Sequence, residues 1–151
     1  ELQHGVDRHS KTIIAMNIDL LLDYFVRFYE RQFITRNEVN RDILVRFENV
    51  LDEYFVSDRP QQIGLPSVGY CAGKLHLSPN YFGDLIKKET GRTAQEHIQM
   101  KLIDLAKERV FDRGKSISEI ACELGFKYPQ HFTRLFKRIV GQTPNQYRMM
   151  N

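Results

Sequence analysis

Along nearly the whole chain, apolar residues recur at three- and four-residue spacing, and sustained two-residue alternation is missing. The pattern predicts an all-α protein. A first helix is expected from about Ser10 to Phe33, where Ile14, Ile18, Leu21, Phe25 and Phe28 repeat at 4-3-4-3, the spacing of a helix-pairing seam. Its polar stripe is narrow, essentially Asp19, Asp23, Arg27 and Glu30, while Leu20, Leu22, Tyr24 and Tyr29 widen the apolar surface. Two readings fit: the seam packs on the next helix, or it pairs with another subunit or with a domain outside this chain. A second helix is expected from Asn37, as N-cap, to Val56, with Ile43, Leu44, Phe47, Val50, Leu51, Tyr54 and Phe55 inward. Asp58-Arg59-Pro60 should end it, since proline pushes the residue before it out of helical backbone. Residues 61–66 read as a connector.

Shorter helices come next, each with its own punctuation. One covers about Ser67–Leu75. The next starts at Ser78 with Pro79 behind it and runs to Glu89, stopped by Gly91. Thr93 and Glu96 form a capping box that opens a long helix to about Asp112, about 30 Å at 1.5 Å per residue. Ser116 and Glu119 open a short helix that ends at Gly125, and a further helix spans about Pro129–Ile139 before Gly141. Thr143 and Gln146 make a third box.

Composition narrows the class. At 151 residues, 42% hydrophobic and 27% charged, the chain has the balance of a globular domain, not of a disordered or low-complexity segment. The richest apolar stretch, Ile13–Phe28, is broken by Asp19, Asp23 and Arg27, so no membrane span is expected. The opening Glu-Leu-Gln-His-Gly lacks the layout of a signal peptide. Cys71 and Cys122 have no CxxC or Cys/His company and read as buried thiols of a reducing compartment, hence a cytoplasmic protein. The net charge of +3 is uneven: residues 1–60 carry 8 basic and 11 acidic side chains, residues 61–151 carry 14 and 8. A basic half suits a polyanion, although ordinary charge scatter could produce an excess of this size.

Two segments, 67–91 and 116–141, share one layout. Each is a short helix, a tight turn, a helix with a basic end, then glycine. The basic pairs are Lys87-Lys88 and Lys137-Arg138. This is a tandem helix-turn-helix. In the second copy Ile120-Ala121-Cys122-Glu123-Leu124-Gly125-Phe126, Phe132-Thr133-Arg134-Leu135-Phe136-Lys137-Arg138 and Gly141-Gln142-Thr143-Pro144-Asn145-Gln146-Tyr147-Arg148 carry the pattern. In the first it is carried by Leu77-Ser78-Pro79-Asn80-Tyr81-Phe82 and Lys87-Lys88-Glu89-Thr90-Gly91. Residues 37–151 thereby resemble the DNA-binding domain of AraC/XylS-family transcriptional regulators. The resemblance implies a seven-helix domain that sets one helix of each motif in the major groove of double-stranded DNA, with RNA polymerase as a further partner. It also implies an upstream sensor domain whose last helix pairs two protomers, and residues 1–36 fit the end of such a domain, with a homodimer through Ile14, Ile18, Leu21, Phe25 and Phe28.

On the second recognition helix, Phe132, Leu135, Phe136 and Ile139 face the core by spacing. Gln130 can pair with adenine and Arg134 with guanine, while Lys137, Arg138 and Thr133 suit phosphates. The resemblance adds base contacts at Pro129 and His131; His131 also reads as a helix-edge filler. The first recognition helix is poorer: Asn80, Gly83 and Asp84 stand where the resemblance implies base contacts, and Gly83 has no side chain. Asp84 either accepts from a cytosine amino group or pairs with Lys87 or Lys88. Ser78, Lys87 and Lys88 are its phosphate candidates.

Enzyme signatures are missing: Glu96-His97 lacks the second histidine of a zinc protease, and no P-loop or nucleophile elbow occurs. No catalysis, cofactor or metal is expected. The sequence thus reads as a DNA-binding transcriptional regulator. A helical interaction module without DNA readout is the alternative; it would expose apolar anchors on the reading face where this chain carries polar side chains.

Overall fold

The computed structural model describes residues 8–150, and among them forms eight helices and no strand. The helices are α1 (Arg8–Val56), α2 (Arg59–Ile63), α3 (Val68–Lys74), α4 (Pro79–Thr90), α5 (Ala94–Arg109), α6 (Ile117–Glu123), α7 (Pro129–Val140) and α8 (Pro144–Met150). The chain divides into two units, one ending at Arg41 and the other beginning at Asp42. The first five residues, whose composition bears on a signal peptide, lie outside the described residues.

The two helices expected at 10–33 and 37–56 are one. No glycine or proline separates Phe33 from Asn37, and Asn37 sits inside the helix instead of capping it. The Thr35 hydroxyl donates to the Arg31 carbonyl at 2.9 Å, one turn back, so it is satisfied within the helix. The seam residues Ile14, Ile18, Leu21, Phe25 and Phe28 are 51–63% exposed; along the same helix Tyr24 stacks on Phe28 and Tyr29 meets Phe33 at a tilt.

In the second unit the end of α1 buries Ile43, Phe47, Leu51, Tyr54 and Phe55, with Phe47 edge-on to Phe82 of α4. After Val56, proline does not open a plain connector: Pro60 falls in the first turn of α2, where its missing N–H costs nothing. The Tyr54 hydroxyl donates to the Gly64 carbonyl at 2.7 Å and fixes the exit from α2.

The linker helix α5 has 16 residues, shorter than expected, and so extends about 24 Å. Val110 caps it. Arg148 of α8 secures the segment beyond the cap by donating to the carbonyls of Val110 (2.5 Å), Asp112 (3.4 Å) and Lys115 (3.0 Å). Ile98, Leu102, Ile103 and Ala106 bury the inner face of α5. All three boxes form: Thr93 with Glu96, Ser116 with Glu119, and Thr143 with Gln146. Hydrogen bonds donated by the Thr93 and Ser116 backbones hold the Glu96 and Glu119 carboxyls below the ordinary carboxylate range.

Both motifs turn in the same way. Leu77 N–H donates to Ala72 O and Phe126 N–H to Ala121 O, each at 2.9 Å, while His76 N–H reaches Gly73 O and Gly125 N–H reaches Cys122 O. These are two Schellman turns, each with one residue in left-handed backbone: His76 at φ 58° and Gly125 at φ 95°. The second needs glycine twice over, because a Cβ on Gly125 would lie 2.9 Å from the Pro60 carbonyl oxygen and 3.0 Å from the Gly64 carbonyl carbon. The second turn is also one residue longer: α4 is capped by Ser78, α7 by Tyr128 with no side-chain cap bond.

Two expectations about packing are corrected. Cys71 is fully buried and its thiol is pushed up to about 11 by burial, but Cys122 is exposed. On the short helix α6 the buried neighbours are Ile120, Ala121 and Leu124, and Cys122 falls on the opposite side of the turn. Ile139, expected in the core, is 39% exposed near the end of α7, because Phe132 and Phe136 fill the interior. Among the described residues no helix is long and apolar enough to cross a membrane.

The turn geometry and the two thiols each lead to a measurable outcome. Gly125→Ala should lower stability by about 1–3 kcal/mol in denaturant melts, whereas His76→Gly should be neutral or raise it by up to about 1 kcal/mol, since it relieves a left-handed non-glycine residue. In the native chain iodoacetamide should label Cys122 and spare Cys71, which reacts only after unfolding; mass spectrometry of the peptides reads this directly.

Candidate nucleic-acid interface

The second recognition helix, α7, is strongly two-sided. Phe132 and Phe136 are fully buried, Leu135 is half-buried, and Gln130, His131, Arg134, Lys137 and Arg138 are exposed. Pro129 sits at the helix start and is half-buried, as is Thr133. The His131 ring is exposed and meets Tyr128 edge-on with centroids 5.5 Å apart. A shallow depression is lined by His131, Arg134, Leu135 and Arg138, which brings together three of the polar side chains expected on this face. Lys137 and Arg138 lie in the last turn, where positive charge also suits the negative helix end.

The first recognition helix, α4, buries Phe82, Leu85 and Ile86 and exposes Asn80, Tyr81, Asp84, Lys87 and Lys88. Asp84 forms no ion pair with Lys87 or Lys88 among the described residues. Gly83 has open space where a Cβ would stand. The Ser78 oxygen accepts from the Tyr81 N–H at 3.3 Å, which leaves the hydroxyl hydrogen free to donate outward.

Spacing misses several members of this surface. Tyr81 and Tyr128 are not among the site residues singled out from the sequence, yet both are 47% exposed, at the starts of the two recognition helices. The Lys127 ammonium lies 5.6 Å from the Tyr128 ring centre. Proline near each tyrosine is the available signal, since it fixes the helix start and puts its neighbour in the first turn or just before it. Gln99 is the other omission. It accepts from Arg138 Nη2 at 2.9 Å, a contact 39 residues apart in sequence that no local pattern reveals.

The helix-turn-helix domain family model matches residues 71–150, which contain most of the first motif, the linker helix and all of the second. The TetD protein of transposon Tn10 from Escherichia coli is 33% identical over 144 residues, 95% of this chain and 91% of that protein. The transcriptional regulatory protein YesN of Bacillus subtilis is 37% identical over 76 residues, 49% of this chain and 21% of that protein. The chain spans only 10–47% of the length of four of the curated relatives it matches. Among solved structures, the C-terminal domain of AraT, a response regulator from Geobacillus stearothermophilus, superposes with a TM-score of 0.62 at 26% identity, covering 72% of this chain and 85% of that one. Two Schellman-turned motifs on a shared linker helix, matched over more than half its residues, make this chain a member of the AraC-type family of helix-turn-helix transcriptional regulators.

Proposed function

We propose that the chain regulates transcription by binding duplex DNA sequence-specifically, with α4 and α7 in adjacent major grooves. What supports the reading is the repeated unit: the same left-handed turn twice, each followed by a helix whose exposed face is polar and ends in two cations. Helix N-termini and turns of this kind present their first residues to base edges. An exposed face built of Gln130, His131, Arg134, Lys137 and Arg138 suits base edges and phosphates. At about 24 Å, α5 is shorter than the roughly 34 Å between successive major grooves on one face, so simultaneous insertion calls for the motifs to project beyond its ends or for the DNA to bend. Such a regulator acts in the cytoplasm, beside RNA polymerase.

Within this reading α7 is the dominant reader. Gln130 and Arg134 reach adenine and guanine edges, His131 and Pro129 lie beside them, and Lys137, Arg138 and Thr133 meet phosphates. On α4 only Asn80 and Asp84 are placed for bases, with Ser78, Lys87 and Lys88 for the backbone. Arg134→Ala should relax preference at one base pair and cost about 1–3 kcal/mol on the best site. Lys137→Ala should weaken all duplexes alike and lower the slope of log affinity against log salt by about one. Asp84→Ala should leave the preferred sequence nearly unchanged and tighten non-specific binding. Selection from a random duplex pool with each variant checks all three; a larger motif shift for Asn80→Ala or Asp84→Ala than for Arg134→Ala would reverse the assignment.

The exposed seam of α1 pairs with a second copy. Ile14, Ile18, Leu21, Phe25 and Phe28 leave water only when another apolar surface covers them. Leu21→Glu or Phe25→Glu should convert a dimer to a monomer in sedimentation without changing the melting of the second unit, and a wild-type monomer at all concentrations would remove the pairing.

A further inference from the structure

Arg138 belongs to two depressions at once. On one side it closes the hollow it shares with His131 and Arg134. On the other it borders a second, open hollow lined by Arg92, Glu96, Gln99, Met100 and Ile139. Gln99 holds the Arg138 guanidinium across this junction through a single bond at 2.9 Å, and a guanidinium has five N–H groups to give. Arg92 Nη1 rests 3.1 Å from the Met100 sulfur, a weak acceptor that orients the group without using up its capacity. The charges of Arg92 and Lys87 both act on the Glu96 carboxylate, which puts the end of α4 in the same neighbourhood. Ordered this way, Lys87, Arg92, Arg138 and Arg134 form one cationic strip from α4, across the start of α5, to the reading face of α7.

We propose that Arg92 and Arg138 grip the sugar–phosphate backbone of duplex DNA between the two grooves entered by α4 and α7. The inference rests on the two-groove reading above. It goes beyond it by bringing in Arg92, just ahead of the linker helix, and by joining it to Arg138 of α7 in one grip on the backbone. The planar guanidinium fork matches phosphate oxygens, and both forks stand over an open, mixed-polarity hollow instead of a closed apolar pocket. Glu96 is the one opposing charge among the residues lining that hollow. Its Oε2 accepts from the Thr93 N–H at 2.7 Å and hydroxyl at 2.8 Å, so it stays ionised beside the strip and moderates the grip.

The test is fluorescence anisotropy of the 151-residue chain on a mixed-sequence duplex long enough for both motifs, titrated between about 50 and 200 mM salt. Arg92→Ala and Arg138→Ala should each lower the slope of log affinity against log salt by about one, and the double variant by about two. Glu96→Gln keeps a capping-box side chain and removes the opposing charge, so it should tighten binding several-fold at the lowest salt. The sequences selected from a random pool should not change in any of the three, because backbone contacts carry no base information. Should the alanine pair melt early, Arg92→Lys with Arg138→Lys keeps the charges and must retain the parental slope. An unchanged slope in the folded double variant, while Lys137→Ala lowers it, would overturn the strip and leave the DNA reading intact. A parental affinity that ignores salt would remove both.

Discussion

The second motif depends on a patch of backbone where no side chain fits. At Gly125 the chain must enter left-handed geometry to reverse from α6 toward α7, and at the same point the Pro60 and Gly64 backbones press against it. The Tyr54 hydroxyl, bonded to the Gly64 carbonyl, holds that pressing segment in place from the end of α1. The orientation of α7, and with it the direction of Gln130 and Arg134, is therefore set by residues far upstream in the chain. The first motif makes the same turn with His76, where the left-handed backbone carries a side chain. The two copies share a shape but not its enforcement.

The linker helix distributes the core between them. α5 buries Ile98, Leu102, Ile103 and Ala106, and its two ends are fixed differently. At the start, Thr93 and Glu96 satisfy orphan N–H groups locally, and Phe47, itself against Phe82, packs close to His97 in the first turns. At the far end satisfaction comes from outside, through Arg148. A helix tied at one end by its own sequence and at the other by a distant arginine transmits position without needing length.

Much of the fold is legible in the sequence because its signals are local. Ser78-Pro79, Thr93 with Glu96, Ser116 with Glu119, and Gly91, Gly125 and Gly141 mark helix boundaries by chemistry that operates within four residues. The break expected at Asn37 fails for the complementary reason: asparagine caps a helix only where the backbone turns out of helical geometry, and nothing around Ile34-Thr35-Arg36 makes it do so. Cys122 is misplaced because the lack of metal or disulfide company does not say which side of a seven-residue helix a thiol falls on. Gln99, Arg92 and the carbonyls met by Arg148 are invisible to spacing, since each partnership joins residues distant in sequence or uses atoms that local patterns do not mark.

Arg148 also sets an order of events during synthesis. A chain emerging with its amino end first can complete the Schellman turn and caps of the first motif while the rest is still being made. The stretch from Val110 to Lys115, which leads into α6, has one backbone bond of its own, from the Lys115 N–H to the Asp112 carbonyl, and gains the Arg148 contacts only when a residue 33 to 38 positions later has emerged. The second motif is thus completed in two steps: its own turn and cap need only residues 116–126, while the fastening of the stretch ahead of it waits for the last helix.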